Sequence, residues 1–387
     1  MPQALTYESY TFLAEALRPG ASAAAPPRTA WPVLLQAAHR HGVLPLLAAA
    51  AGRAGWDADF VAAMRPAVAA HSALAIVRER EARRLLSALE ASRVSPLLLK
   101  GGHLAYAVYE SPALRPRLDT DLLVRDDECD RLRLVLMELG YGPLPHVTGE
   151  VAFGQFQYGR TDDSGARHIV DVHRRLANPK AFADRFTYAE LSDGAETLAA
   201  LAPTARGPAP DLALMVACLH RTAHHGTCSR LIWLYDIHLL AMRMKDSDWE
   251  RIVRTARRKR LTPVVAAGLA DAADALGTNL PDDLLQRLHQ YDASTDRDVF
   301  AFLEGQTALL HVAASDWRRI AGWRDRARFL REHLLPAPSY MRERYGFTSH
   351  SALPLVYAHR IVAGALKHAR LAILNPPSTN PQSTPRS

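Results

Sequence analysis

The stretch LLLKGGHLAYAVYESPALRPRLDTDLLV, residues 97–124, contains the pattern that decides the fold. Its apolar start ends at Lys100 and is followed by Gly101-Gly102, a combination typical of a buried strand that turns into a helix. The helix is predicted over His103–Tyr109, and Asp119–Val124 then has the pattern of a strand. The stretch therefore predicts a strand–helix–strand unit with carboxylates on its second strand.

Three further elements extend this unit toward the C-terminus. Asp126–Gly140 has the periodicity of an amphipathic helix, and Val151–Tyr158 and Arg167–His173 have the composition of strands. Strands and helices in this order predict an α+β fold, with a sheet domain over residues 91–193.

The flanking segments have helical periodicity instead. Residues 1–90 predict an N-terminal helical region, with helical periodicity over Ala67–Ala91 among others, and residues 211–374 predict a C-terminal helical domain that includes a helix over Thr262–Leu276. A segment rich in Pro, Ala and Gly within residues 194–210 is expected to be a linker. Residues 375–387 contain only polar residues and proline, and we expect them to be disordered.

The composition of the 387 residues is that of a globular protein, with 48% hydrophobic and 22% charged residues. Three cysteines are too few for a disulfide framework, so we expect a reducing, cytoplasmic environment. We find no apolar stretch of about 18 residues and expect no membrane span. The net charge of +7, which we interpret as spread along the chain, favours an anionic ligand such as a nucleotide or nucleic acid.

Acidic residues on two predicted strands indicate a metal site. Asp119 and Asp121 are two residues apart, so on one strand their side chains point to the same face. Two neighbouring carboxylates flanked by apolar residues repel each other, and a cation relieves that repulsion. Asp171 and His173 share a face of the later strand, and Asp171 would supply a third carboxylate. Oxygen ligands of this kind suit Mg²⁺, which also binds the phosphate oxygens of a substrate.

The glycine pair is expected to bind phosphate. Gly101 and Gly102 at a strand-to-helix turn allow phosphates to approach the backbone N–H groups, and Lys100 adds a positive charge. The sequence has neither the G-x-x-x-x-G-K-[ST] loop nor the G-x-G-x-x-G fingerprint. Arg117 precedes the first carboxylate by two residues and is expected either to pair with the acids or to contact a triphosphate, with a surface arginine after Pro116 as the alternative. Arg115 carries less weight.

Together these motifs resemble the uncharacterised bacterial nucleotidyltransferase family of the DNA polymerase β-like superfamily. The resemblance rests on Leu99-Lys-Gly-Gly102, Arg117-x-Asp-x-Asp-Leu-Leu-Val124, Leu139-Gly-Tyr141 and Val170-Asp-Val-His173. It continues with Leu219-His220 and Arg230-Leu-Ile-Trp-Leu-Tyr-Asp236, and we expect it to extend over about residues 30–370. One departure is Gly102, because the superfamily turn often has a serine there.

The resemblance implies an enzyme that moves a nucleoside monophosphate from an NTP to a hydroxyl or similar acceptor and releases pyrophosphate. It implies Mg²⁺ or Mn²⁺ held by Asp119, Asp121 and Asp171, and Asp171 would also help to deprotonate the acceptor. His220 and Asp236 are expected either to face the nucleotide cleft or to hydrogen-bond each other. The acceptor stays open among a small molecule, an RNA and a protein.

Other interpretations remain at this stage. A toxin-type transferase that modifies RNA or protein would suit the positive charge, and a silent nucleotide-binding or scaffold protein would need no complete set of acids. The His and Cys residues at positions 218–228 lack the paired spacing of zinc ligands, so we expect no zinc. The basic run Arg254–Arg260 is expected to be a solvated helix face, with nucleic-acid binding as the alternative. Tyr357–Leu374 is expected to pack on a core, with attachment to a membrane surface as the alternative.

Overall fold

A computed structural model describes residues 2–20, 24–144, 154–225, 230–290, 297–304, 309–347 and 352–374. The chain divides into two compact units: the first comprises residues 1–144 and 154–307, and the second comprises residues 145–153 and 308–387. The predicted domain boundaries after residue 90 and before residue 211 lie inside the first unit and stay predictions. The predicted disordered tail, residues 375–387, lies outside the described residues.

Within the described residues, the first unit opens with four helices: α1 (Pro2–Ala16), α2 (Trp31–His41), α3 (Leu44–Arg53) and α4 (Ala58–Ala91). Helix α4 begins well before the predicted start of its periodic pattern at Ala67, because the Asp57 side chain accepts a hydrogen bond from the Asp59 N–H and caps it. By length and composition, α4 is the one helix of the described residues that is apolar enough to span a membrane. The core helix of a soluble protein can have the same length and composition, so this one helix does not establish a membrane span, and the absence of a span stays a prediction.

A five-stranded mixed sheet follows, in the order β1-β2-β5-β4-β3. Its elements are β1 (Leu97–Leu98), α5 (Lys100–Ala107), β2 (Thr120–Leu123), α6 (Cys129–Glu138), β3 (Gly142–Pro143), β4 (Gln155–Thr161) and β5 (Arg167–His173). Strands β2 and β5 are parallel, whereas the other pairs are antiparallel. This architecture confirms the predicted α+β class, and β5 has the predicted bounds.

The alternation of side chains along β2 and β5 separates a core face from a polar face. Leu122, Val170 and Val172 point to the core face and pack with leucines of α4 and α6, among them Leu86 and Leu132. Asp121, Asp171 and His173 occupy the alternate positions and therefore point to the opposite face. The core thus fixes the register that brings the three polar side chains together.

Residues 194–210, predicted to be a linker, contain the hairpin of β6 (Glu196–Thr197) and β7 (Arg206–Gly207). Before it come the short helices α7 (Lys180–Ala183) and α8 (Tyr188–Ser192). Leu198 and Leu201 are buried in the same core as β2, so this segment packs against the sheet domain. Its Pro, Ala and Gly content reflects tight turns and small buried side chains.

In the described part of the chain, six helices complete the first unit: α9 (Pro210–His225), α10 (Leu231–Ala241), α11 (Asp246–Lys259), α12 (Thr262–Leu276), α13 (Leu284–His289) and α14 (Arg297–Leu303). Helix α12 has its predicted bounds because Pro263 suits its first turn and Gly277, at φ +64°, ends it in the left-handed conformation. The second unit consists, in its described part, of α15 (Leu309–Arg319), α16 (Trp323–Leu334), α17 (Pro338–Tyr345) and α18 (Leu353–Leu374).

Candidate active site

Two buried carboxylates stand side by side on the polar face of the sheet. Because β2 and β5 are parallel and in register, Asp121 is the direct neighbour of Asp171. Both side chains are almost fully buried. Two buried carboxylates on adjacent strands require positive charge between or beside them.

Lys100 and His173 supply polar partners to the first of these carboxylates. Lys100 Nζ donates to Asp121 Oδ1 at 2.6 Å, and His173 Nε2 lies 2.9 Å from the same oxygen. Burial alone would raise the pKa of Asp121, but the charges and hydrogen bonds of Lys100 and His173 outweigh it and hold the pKa well below its usual range. Asp121 is therefore an anion at neutral pH.

The second carboxylate is less completely satisfied. Gln157 Nε2 donates to Asp171 Oδ2 at 3.4 Å, and His173 Nε2 lies 3.5 Å from that oxygen. Asp171 Oδ1 is buried and has no hydrogen-bond partner among the described residues. A buried anionic oxygen left in this way is costly, and a cation would satisfy it.

Asp121, Asp171 and His173 together fit a divalent cation. One ligand atom from each lies within 4.8 Å of the others, and this is the one such group of His, Cys, Asp or Glu side chains that the described residues contain. The two carboxylates suit Mg²⁺ or Mn²⁺. His173 adds an imidazole to this site. The sequence predicted that His173 shares a strand face with Asp171, but not that its ring contacts both carboxylates.

Asp119 precedes β2 and lines the same cleft, but it is not part of this group of three. Burial and then the nearby negative charge of Asp121 raise the pKa of Asp119 to about 6. A carboxylate of this kind gains from an added cation as well. Its role as a metal ligand stays a prediction.

The glycine turn differs from the expected one. Helix α5 already begins at Lys100, which adopts φ +50°, so Gly101 and Gly102 lie in the first helical turn and neither has a positive φ. A larger residue at position 101 would be crowded, because a Cβ there would lie 3.3 Å from the Arg115 guanidinium carbon. The N–H groups of this first turn have no partner within the helix, as phosphate binding needs.

Arg115 is held by a buried carboxylate from α10. Its Nε donates to Asp236 Oδ1 at 2.8 Å and its Nη2 to Asp236 Oδ2 at 2.7 Å, while the Tyr109 hydroxyl donates to Oδ1 at 2.7 Å. Burial alone would lower the pKa of Arg115, but Asp236 outweighs it and keeps the guanidinium charged. Asp236 therefore acts on the cleft indirectly, through Arg115. Its two carboxylate oxygens accept hydrogen bonds from Arg115 and Tyr109, and not from His220 as in the alternative expectation.

Arg117 lies apart from the carboxylates. Its Nη2 donates to the Tyr106 hydroxyl at 2.8 Å, and its guanidinium carbon lies 5.2 Å from the centre of the Tyr106 ring. The predicted pairing of Arg117 with the acids is therefore absent from the structure, because Tyr106 on α5 is the nearer partner. Arg117 still lines the cleft.

A cleft of about 450 Å³ opens in front of the three carboxylates. Among the described residues, five cationic side chains line it: Arg78, Lys100, Arg115, Arg117 and Arg230. Since the cations outnumber the carboxylates, the cleft favours a polyanion over a neutral ligand.

Helices α9 and α10 provide a ring-bearing wall of this cleft. His220, His224 and Trp233 line it, and the Trp233 ring lies 6.3 Å from the His220 ring, edge to face. The structure thus brings the predicted residue His220 to the same cleft as the carboxylates. No zinc was expected at the His and Cys residues of positions 218–228. Of the two cysteines among them, Cys218 is buried and Cys228 lies outside the described residues.

Comparisons with known proteins agree with this geometry. No curated protein matches the chain. A model of a family described as uncharacterised nucleotidyltransferases matches residues 27–277, which is well over half of the chain. The match contains every residue named above for the cleft and ends before residues 308–387 of the second unit, short of the expected limit near residue 370. The chain belongs to this family of nucleotidyltransferases.

Proposed function

We propose that this nucleotidyltransferase uses Mg²⁺ or Mn²⁺ to transfer a nucleoside monophosphate from an NTP to a hydroxyl or similar acceptor. The observation that carries the proposal is the cluster of Asp121, Asp171 and His173, with its unpartnered Asp171 Oδ1, at the wall of a cationic cleft. A cation held by these acids would neutralise the phosphates and stabilise the charge that develops on pyrophosphate as it leaves.

In the proposed reaction the acceptor oxygen bonds to the α-phosphorus while the bond from that phosphorus to the β-phosphate oxygen breaks. The proton of the acceptor passes to a carboxylate, for which we propose Asp171. Lys100 and Arg115 bind phosphate oxygens, and the N–H groups of Gly101 and Gly102 at the start of α5 add neutral donors. Asp236 keeps the Arg115 fork in place through its two hydrogen bonds.

The role of Asp171 separates NTP binding from chemistry. Lys100, Arg115 and Asp121 remain in the Asp171→Ala variant, so much of the NTP affinity should be kept. Transfer should fall at least about a hundredfold, the usual scale for the loss of a positioned general base. Asp163→Ala, which removes an exposed carboxylate from the turn between β4 and β5, is the matched control and should behave like the parent.

The experiment supplies NTPs labelled at the α-phosphate, Mg²⁺ and a cell extract, and measures label joined to the acceptor together with NTP affinity. The proposal requires α-label transfer with pyrophosphate release by the parent and by Asp163→Ala. Release of the γ-phosphate instead would identify a different reaction. Transfer by Asp171→Ala at the parental rate would remove Asp171 from the proposed chemistry.

A further inference from the structure

The positive charge of the chain is concentrated in the second unit. Residues 309–374 contain eleven Lys and Arg but four Asp and Glu, a net charge of +7. The whole chain also has a net charge of +7, so the remaining residues balance to zero. The expectation that the charge is spread along the chain is therefore wrong.

Burial of acidic side chains strengthens this charge at the surface of the second unit. Asp316 and Glu332, two of the four acids within residues 309–374, are almost fully buried. Asp325 and Glu343 are the exposed ones. The surface of these helices is thus strongly basic, which favours an anionic partner.

Helix α16 presents apolar side chains on its outer side. Trp323, Leu330 and Leu334 fall within about 40° of one another around the helix axis, because they are spaced by seven and four residues. Trp323 is 74% exposed, and both leucines are more than 40% exposed. Phe329 and Glu332, on the opposite side of the helix, are the buried residues. We call Trp323, Leu330 and Leu334 the outer stripe.

Arginines border the outer stripe on both sides. Arg324 and Arg331 lie about 90° from its centre on one side, and Arg326 lies about 60° from it on the other. Apolar side chains flanked by arginines along a helix are suited to the interface of an anionic bilayer, where the rings and aliphatic chains enter the acyl region and the guanidinium groups meet the headgroups. Nucleic acid would use the arginines but would leave the aliphatic side chains in water.

Helix α18 repeats this feature in its described part. Leu355 is 75% exposed and Val362, seven residues later and thus on the same side of the helix, is 57% exposed. The second unit therefore exposes apolar surface on two of its helices, which a monomer in water does not need. We propose that the second unit binds an anionic membrane surface through the outer stripe of α16.

Vesicle flotation of the full chain tests this proposal. The protein should float with vesicles made of equal parts phosphatidylcholine and phosphatidylglycerol, should not float with phosphatidylcholine alone, and should release as salt is raised. The W323S/L330S variant should lose at least about tenfold in vesicle partitioning. L134S/M137S removes two comparably exposed apolar side chains from α6 and should leave partitioning unchanged.

A second pair of variants tests the charge. R324Q/R331Q should weaken partitioning about thirtyfold, since each basic residue near an anionic surface contributes roughly a factor of five. R254Q/R258Q removes two exposed arginines from α11 in the first unit and should have no effect.

Three outcomes would overturn the proposal. The first is no flotation with anionic vesicles. The second is RNA binding that is abolished in R324Q/R331Q, together with a W323S/L330S variant that keeps both RNA binding and flotation. This result would identify a nucleic-acid surface. The third is a dimer in sedimentation analysis that W323S/L330S dissociates, since a second copy would then cover the outer stripe. Circular dichroism verifies that each variant is folded.

Discussion

Replacing Asp236 with Asn should destabilise the first unit far more than the same replacement at an exposed ion pair. Asp236 accepts two hydrogen bonds from the Arg115 guanidinium and one from Tyr109, and its side chain and that of Arg115 are less than a tenth exposed. The amide has one acceptor oxygen and no charge, so the guanidinium stays buried without its counter-ion.

The expected cost is about 3–5 kcal/mol, the range for breaking a buried ion pair from one side. Unfolding entropy is about 2 cal/mol/K per residue, so for a unit of roughly 300 residues this cost corresponds to a fall in Tm of about 5–8 °C. Asp130→Asn is the matched control, because Asp130 is 91% exposed and pairs with Arg133 at 2.8 Å. It should change the free energy of unfolding by at most about 1 kcal/mol.

The assay is thermal and urea unfolding followed by circular dichroism for the parent and both variants. If Asp236→Asn were no more destabilising than Asp130→Asn, the buried pair of Arg115 and Asp236 would be wrong, and with it the placement of Arg115 in the cleft. Because the proposed task of Asp236 is to hold Arg115, the same variant should also bind NTP more weakly.

The remaining predictions concern packing, thiol chemistry and metal. Gly101→Ala should destabilise the protein, because the added Cβ would press on the Arg115 guanidinium, which Asp236 holds in place. Gly102→Ala would make only an ordinary 3.5 Å contact with Leu98 and should be neutral or stabilising, since alanine favours the helix. Urea unfolding should show this difference between the two variants. Burial raises the pKa of Cys218 to about 12, so its thiolate is scarce below that pH, and iodoacetamide at pH 8 should modify it only after unfolding, as peptide mass spectrometry would show. Removing divalent cations with EDTA should lower the parental Tm, and a Tm that Mg²⁺ and Mn²⁺ leave unchanged would contradict a metal site at the two buried carboxylates.

Local patterns were sufficient to predict much of the fold. The bounds of β5 follow from its β-branched residues. The bounds of α12 follow from Pro263 in its first turn and Gly277 at its end. The α+β class follows from the order of such elements. The start of α5 was misplaced because Lys100, rather than a glycine, adopts the left-handed conformation, which a sequence pattern does not reveal.

The site was predicted less completely, since its partners come from distant parts of the chain. Asp121 and Asp171 were identified by their positions on strands, and the parallel pairing of β2 and β5 explains why they meet. Arg115 was given little weight, because its partner Asp236 lies 121 positions away and no local spacing connects them. Of the two contacts expected for Arg117, the pairing with the acids does not form, because Tyr106 on a neighbouring helix accepts a hydrogen bond from it.

Isothermal titration of NTP against the Asp121→Asn variant, with Mg²⁺ and with EDTA, tests the metal site most directly. The parent should bind NTP more tightly with Mg²⁺, and Asp121→Asn should bind with the same affinity in both conditions. Asp127→Asn, at a 73% exposed carboxylate after the same strand, should retain the parental Mg²⁺ dependence. Asp119→Asn, measured alongside, assigns or excludes the third carboxylate as a ligand. If Asp121→Asn kept the full Mg²⁺ dependence of the parent, the metal site proposed between β2 and β5 would be wrong.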